Sequence, residues 1–383
     1  MDVALSQIKE MASSAGESAR RQIMRSLRRL ADSMETPQNT IHRYGHLHLQ
    51  TAVVKVGFDL GLFGYLSRSS NPIEVETIAK DIGAEALLTK RILRYLSAID
   101  AVDEGPKNQY SANHVTKNLA EKVVESGICH YFGTVGPQYQ ALPSFLTRTE
   151  HKSPTDEMHT AFQDAWSTSL HAFPWFAGHP EHLAYFNDYM ALRRQPELSW
   201  LAVYPVEEEA KGLDAGRPIY VNIGGGIGHQ CAQFKEKYPS LPGRVILQDL
   251  PHSIAQALPT PGVENMAHDF FDAQPVKGAK FYFLRAVLHD HPAHRIRKIL
   301  GNIKEAMASD SILLIDEMVL PEMGVNLEVA SIDMTMLTTF ASMERTEVEW
   351  REVFEQVGLE LVQTYMYNPL NYESVMDVRL LGR

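Results

Sequence analysis

The sequence predicts an α/β fold: a doubly wound, mostly parallel sheet in the C-terminal part, preceded by a mainly helical region with a winged-helix pattern. Three observations carry this. From residue 218 onward the near-continuously apolar segments PIYVNIG, GRVILQDL, AKFYFLRAVL and SILLIDEMVL alternate with helical or loop stretches, and strands apolar on both faces belong to a parallel sheet covered by helices. The first segment runs into a glycine cluster, Gly224, Gly225, Gly226 and Gly228. Before residue 120 the apolar spacing is helical and closes on a short hairpin pattern.

Length and composition agree with a two-domain protein, read as 1–120 and 121–383. A chain of 383 residues buries a core without covalent staples. The formal net charge of −11 argues against a polyanionic partner, so no nucleic acid is expected. Only Cys129 and Cys231 occur, far apart and without metal-type spacing, which fits a reducing compartment. No apolar run of about 18 residues exists, and the N-terminus lacks a signal-peptide core. No membrane span is expected, and the cytoplasm is the default location.

Element by element, residues 4–33 place Ile23, Met24, Leu27 and Leu30 on one helical face, with Arg20, Arg21, Arg25, Arg28 and Arg29 around it. A basic amphipathic helix can lie on a membrane; the short apolar face favours packing on a partner subunit or on the body of the protein. LQTAVVKVGFDLGLFGYL, residues 49–66, follows at helical spacing, and NPIEVETIAKDIGAEALLTKRILRYLSAIDAV reads as two helices broken at Gly83. AVDEGPKNQYSAN then reads as a hairpin. This winged-helix order suggests DNA binding, with Lys90, Arg91 and Arg94 toward phosphates. Asp81, Glu85, Asp100, Asp103 and Glu104 nearby favour protein contact instead. Residues 127–205, rich in aromatics and histidine, suit either a pocket for an aromatic ligand or a helical connector whose rings are core. LELVQTYMY and VMDVRLLG close the chain as an antiparallel pair.

The glycine cluster reads G-x-G-x-G. It lacks the third glycine position of the dinucleotide fingerprint, and Gly228 is followed by His229 and Gln230, not by the Lys-Ser/Thr of a phosphate loop. Downstream residues make it specific. Asp249 lies about 20 residues further on, where an acid bonds ribose hydroxyls. Asp269 and Phe270 offer an acid and an apolar plate for an adenine. His289 and Asp290 end the fourth strand at the edge where ligands of such sheets bind, and a histidine there takes a proton from a substrate hydroxyl. Asp316 and Glu317 end the fifth strand, and Glu344 follows as a second flanking acid able to fix the imidazole tautomer. His46-x-His48 and His289-x-His291 lack a third ligand at structural-zinc spacing, so no metal is expected.

With LADSMETPQNT and FDLGLFGYL at the front, then NIGGGIGHQ, VILQDLPHSI, HDFFD, LRAVLHDHP, LLIDEMVLPE and MERTEVEW, the chain resembles the class I S-adenosylmethionine-dependent O-methyltransferases. In particular it resembles the fungal secondary-metabolite members of the caffeate and flavonoid O-methyltransferase-like family. The resemblance spans nearly the whole chain. It implies a Rossmann-like domain that binds S-adenosyl-L-methionine (SAM), an N-terminal winged-helix dimerisation domain and hence a homodimer. It also implies a phenolic or enolic substrate of aromatic or polyketide type. Gly224 and Gly226 are implied to contact the cofactor, Asp249 the ribose, and Asp269 and Phe270 the adenine, while Arg285 stands in for a family lysine near the cofactor. His289 matches the general base and Glu317 and Glu344 the carboxylates bracketing it; Met190 and Met336 match substrate-packing methionines. Two positions depart from the pattern: Asn222 replaces the usual Asp before the glycines, and His291 replaces the Trp after the His-Asp pair. Some fungal relatives catalyse dehydrations and pericyclic cyclisations instead, with the sulfonium as a fixed charge. In that alternative His130, Arg193 or Arg194, His289 and Asp290 are the groups that act.

Overall fold

The computed structural model describes residues 2–193 and 198–382, and the chain divides into two compact units. Unit 1 comprises residues 2–134 with Pro180–Arg193, so it runs past the expected break at 120. The reason is local. Gly127, on the helix Lys122–Cys129, has no side chain, and the Tyr189 ring of the helix Pro180–Leu192 occupies the space where a Cβ would fall, 2.9 Å away.

The core of unit 1 gathers Leu62, Phe63, Leu66, Ile78, Leu93 and Leu96 from the helices Leu62–Ser67, Val75–Ile82 and Ala86–Ala98. Gly83 ends the second of these helices in the left-handed conformation, φ 72°, which a Cβ would oppose. Segment 49–66 is not one helix: it breaks between Leu47–Asp59 and Leu62–Ser67, where Gly61 turns left-handed at φ 62°. Three short strands, β1 (Ile73–Glu74), β2 (Asp103–Gly105) and β3 (Gln109–Ser111), pair in the order β1-β3-β2. The helices Asp2–Ser14, Glu17–Ser33 and Pro37–Gly45 bury no residue, and Val3, Leu5, Met11, Met24, Leu30 and Met34 stand exposed along the first two and at the exit of the second.

Unit 2, residues 135–179 and 198–382, holds the large sheet. Its strands are β4 (Pro218–Ile223), β5 (Arg244–Asp249), β6 (Val263–Ala267), β7 (Phe281–Arg285), β8 (Ile312–Leu320), β9 (Arg345–Thr346), β10 (Leu359–Asn368) and β11 (Glu373–Leu380). The order is β10-β11-β8-β7-β4-β5-β6, with β9 beside the end of β8. Strands β4 to β8 pair in parallel, and β11 runs antiparallel to both β8 and β10. From β4 the chain winds outward in one direction through β5 and β6, then returns to β7 on the other side of β4. That reversal opens a crevice at the carboxyl ends of the central strands.

Two-residue periodicity splits the strands between two apolar layers. Val221, Ile223, Tyr282 and Leu284 pack on one face with Ile296, Leu300, Trp350 and Phe354. Ile219, Tyr220, Phe281 and Phe283 pack on the other with Trp200, Tyr204 and Phe234. Tyr220 stacks on Phe234 with ring centroids 4.4 Å apart and Trp200 on Phe283 at 4.8 Å, so part of the aromatic stretch is core. Among the described residues no helix is long and apolar enough to cross a membrane.

At the entry to β5, Gly243 has φ 106°, and an added Cβ would sit 2.6 Å from the carbonyl oxygen of Arg217. Both strain and clash follow from any side chain there. Gly243→Ala is expected to destabilise unit 2 by about 2 kcal/mol or more, read as a lowered urea-unfolding midpoint at unchanged slope.

Candidate active site

The site assembles at the carboxyl ends of β4, β5, β7 and β8. Beyond β4, Gly224, Gly226 and Gly228 all have positive φ (65°, 60° and 96°), and the chain turns tightly into the helix His229–Lys237. Gly225 N–H donates to the carbonyl of Gln248 at 3.1 Å, which ties the turn to β5. Asp249, at the end of β5, accepts from Gly226 N–H and from Leu250 N–H, each at 2.8 Å. Its carboxylate therefore braces the glycine turn as well as facing the crevice. Asn222 lies buried beneath the loop, and its Nδ2 has no hydrogen-bond partner among the described residues.

After β7, Ala286 takes a left-handed conformation, φ 49°, and turns the chain across the strand ends. Glu317 of β8, buried, holds this turn: its Oε1 accepts from the N–H groups of Val287, Leu288 and His289 at 3.1, 2.8 and 3.4 Å. Glu317 is expected to flank the imidazole; its hydrogen bonds go to the backbone under the ring, and its charge still acts on the ring. Its carboxyl is pushed up to about 7 by burial, offset in part by His289.

Glu344 is the carboxylate that touches the ring. His289 Nδ1 donates to Glu344 Oε1 at 2.8 Å, and Glu344 is positioned in turn by its own N–H donating to Asp333 Oδ1 at 2.8 Å. Because a carboxylate only accepts, this bond fixes the tautomer and leaves Nε2 as the basic nitrogen of the neutral ring. Nε2 lies 3.6 Å from Asp290 Oδ1. Burial works against the imidazolium, but Asp290, Glu317 and Glu344 together outweigh it and raise the His289 pKa well above its ordinary value. Asp290 is pushed up to about 6, first by burial, with His289 opposing.

A cavity of about 480 Å³ opens beside these groups. Gly224, Asp249, Asp269, Phe270, Asp290 and His291 all contribute to its wall. His289 does not itself line it but sits between two residues that do. A side chain at Gly224 would meet Val287 at 3.0 Å and Phe270 at 3.5 Å, whereas Gly226 faces open space. Two carboxylates, an aromatic plate and a floor without side chains thus share one chamber, a donor set that fits a nucleoside cofactor. His291 stands edge-on to Phe270 and Phe271 with centroids 5.6 and 5.3 Å away. Burial, then His171 and Arg295, bring its pKa down to about 4, so the ring is neutral.

Other expected residues lie elsewhere. Arg285 does not line the cavity; its Nε faces Asp316 Oδ2 at 3.4 Å, and Tyr367 donates to the other oxygen of Asp316 at 2.7 Å. Met336 is buried on the helix Leu327–Phe340. His130, Met190 and Arg193 belong to unit 1, where His130 packs against Tyr131 and Phe186 and burial lowers its pKa to about 4. Arg194 lies outside the described residues. Glu157, His171, Phe173 and Arg295 line the cavity although nothing in their sequence surroundings marks them. Only the aromatic richness of residues 127–205 pointed that way.

A sheet wound outward from a glycine turn, with acids at the ends of the next two strands, has the architecture of a nucleoside-cofactor enzyme. Residues 160–360 match the O-methyltransferase domain model, and the chain belongs to that family. It is 38% identical over 98% of both chains to the O-methyltransferase ucdC of Aspergillus ustus. Among solved structures it is similar to LepI in complex with SAM, with a TM-score of 0.89 at 36% identity over 99% of this chain and 98% of that one. A structure described as a pericyclic reaction enzyme matches with a TM-score of 0.88 at the same identity and coverage.

The three carboxylates around His289 give a direct check. In NMR titrations the His289 ring is expected to hold its proton to a pH above 6.5, the ordinary histidine value. Glu344→Gln removes one negative neighbour and is expected to lower that midpoint by about 1 unit.

Proposed function

We propose that this protein is a SAM-dependent O-methyltransferase acting on a phenolic or enolic oxygen of a small aromatic or polyketide metabolite. The observation that carries the reading is the complete Glu344–His289 pair next to Asp290 of the cavity lining: Nδ1 is held by a carboxylate at 2.8 Å, and Nε2 is left to accept a proton. When bound, SAM supplies an electrophilic methyl group on a sulfonium.

The chain's own residues do the rest. Gly224 and Gly226 allow close approach to the main chain, Asp249 and Asp269 accept from ribose hydroxyls and the adenine amino group, and Phe270 packs on the base. The acceptor oxygen becomes nucleophilic as its proton, with a phenolic pKa of about 10, passes to Nε2 of His289. Glu344 stabilises the imidazolium that forms, and Asp290 at 3.6 Å adds a second negative neighbour. Asn222 keeps the floor of the glycine loop free of the negative charge that the family pattern carries there. The pericyclase-type reading is supported by the likeness to a pericyclic enzyme structure. Methyl transfer is favoured over it because the histidine and its carboxylate are intact.

We also read the protein as a homodimer formed through unit 1 and residing in the cytoplasm. Support for the dimer comes from the helices within residues 2–45, which bury nothing and leave Val3 73% and Met34 69% exposed at either end of the first two. So many exposed apolar side chains on one segment mark an interaction surface.

Two outcomes are expected. Incubation with a phenolic polyketide and SAM yields a product heavier by one methyl group; His289→Ala lowers kcat by about 10²- to 10⁴-fold, and kcat/KM of the intact enzyme climbs with pH because only neutral His289 accepts the proton. A product isomeric with the substrate, formed equally with a cofactor analogue that cannot donate methyl, would sink methyl transfer. In sedimentation the full chain should run as a dimer, and removal of residues 2–45 should leave a monomer; a monomeric full chain excludes the dimer reading.

A further inference from the structure

The segment 150–160, HKSPTDEMHT with its preceding Glu150, joins the helices Gly136–Arg148 and Ala161–Trp166 and is largely exposed. Glu157 and Thr160 are buried, and of the two Glu157 carries a charge. Glu157 is 5% exposed, and it lines the same cavity as Asp269 and Phe270. A buried carboxylate needs a partner, and Arg295 provides one: its Nε donates to Glu157 Oε1 at 2.6 Å, with His294 Nε2 at 3.8 Å from the other oxygen. Arg295 projects from the helix Ala293–Lys304 and lays its guanidinium over the Phe271 ring, 4.7 Å from the centroid. Phe271 in turn stands edge-on to Phe270 and His291 at 4.9 and 5.3 Å. One continuous stack therefore links the strap to the aromatic plate proposed for adenine.

We propose that Glu157 and Arg295 form a latch, and that segment 150–160 is a strap closed by it across the adenosine end of the cavity, setting how fast the cofactor enters and how fast spent cofactor leaves. This rests on the cavity being a cofactor site, as proposed above. The segment's ends are pinned independently: Arg148 pairs with Asp164, and Gln163 Oε1 accepts from Thr160 N–H at 2.8 Å. Within the strap, Asp156 folds back on Met158 N–H at 2.9 Å and His159 at 2.7 Å. Glu157 and Met158 are the strap residues that line the cavity, and Glu157 is the one that binds it through an ion pair. Opening the strap requires breaking this ion pair and the bond from Gln163 Nε2 to the Glu157 carbonyl at 3.2 Å, neither of which involves His289. Lids of this kind move more slowly than side chains and commonly limit turnover through product release.

The test uses the full chain and S-adenosylhomocysteine as probe. Association and dissociation rates are measured by stopped-flow for wild type, Glu157→Gln and Arg295→Lys, after circular dichroism has confirmed folding. The two variants sit on opposite sides of the pair, so one that fails to fold leaves the other to decide. Loss of the latch is expected to speed release by about tenfold and to speed capture as well, so the equilibrium affinity changes less than either rate. Unchanged release in a folded variant overturns the latch. Faster release without faster capture also overturns it, since Glu157 would then be a ligand contact and not a closure. Wild type that binds no S-adenosylhomocysteine overturns the cofactor reading and the latch together.

Discussion

The site depends above all on one buried carboxylate, Glu317, holding the backbone of residues 287–289. Three N–H groups converge on one oxygen within 3.4 Å, and without them the turn after β7 would leave buried donors unmatched. That grip orients Asp290 into the cavity and brings the His289 ring within reach of Glu344. It also explains why a residue at φ 49° precedes it: Ala286 must reverse the chain so that the next three amides point back toward β8. Backbone strain of this kind persists where surrounding bonds over-determine it.

Electrostatics follow from the same arrangement. Three acids surround one imidazole in a space largely closed to water, so each group's charge depends on the others. Burial raises Asp290 and Glu317, and the same two acids, with Glu344, raise His289. Protons in such a cluster belong to the group and not to single residues. A bound cation would favour the ionised acids and oppose the imidazolium, both of which help the ring act as a base.

The fold was legible because its signals are dense. Apolar strand segments with glycine turns between them leave little choice of architecture, and the acids at the ends of β5 and β6 and the histidine beyond β7 sit where strand ends must put them. What escaped was of two kinds. Partner choice was one: Asp316 and Glu317 are neighbours in sequence, and strand alternation sends the first toward Arg285 and Tyr367 and the second under the turn. No spacing rule ranks the two, nor tells that Glu344, and not Glu317, bonds the ring. The other was Glu157 and Arg295. A lone acid in a polar, proline-bearing loop looks solvated, and only folding shows that its carboxylate is buried in a cavity. The extent of unit 1 was hidden for a similar reason, since the fit of Tyr189 against Gly127 joins segments far apart in the chain.

The glycine turn, the acids and the acid-base pair are drawn from Gly224 through Glu344; the glycine turn is tied to β5 through Gln248, and the turn bearing His289 to β8 through Glu317. β7 does not pair with the strand before it in sequence; it pairs with β4, and β8 then pairs with β7. Contacts of such long sequence separation form late, because loop closure must be met before they give any return. Recovery of activity on refolding would therefore lag behind recovery of helix and strand.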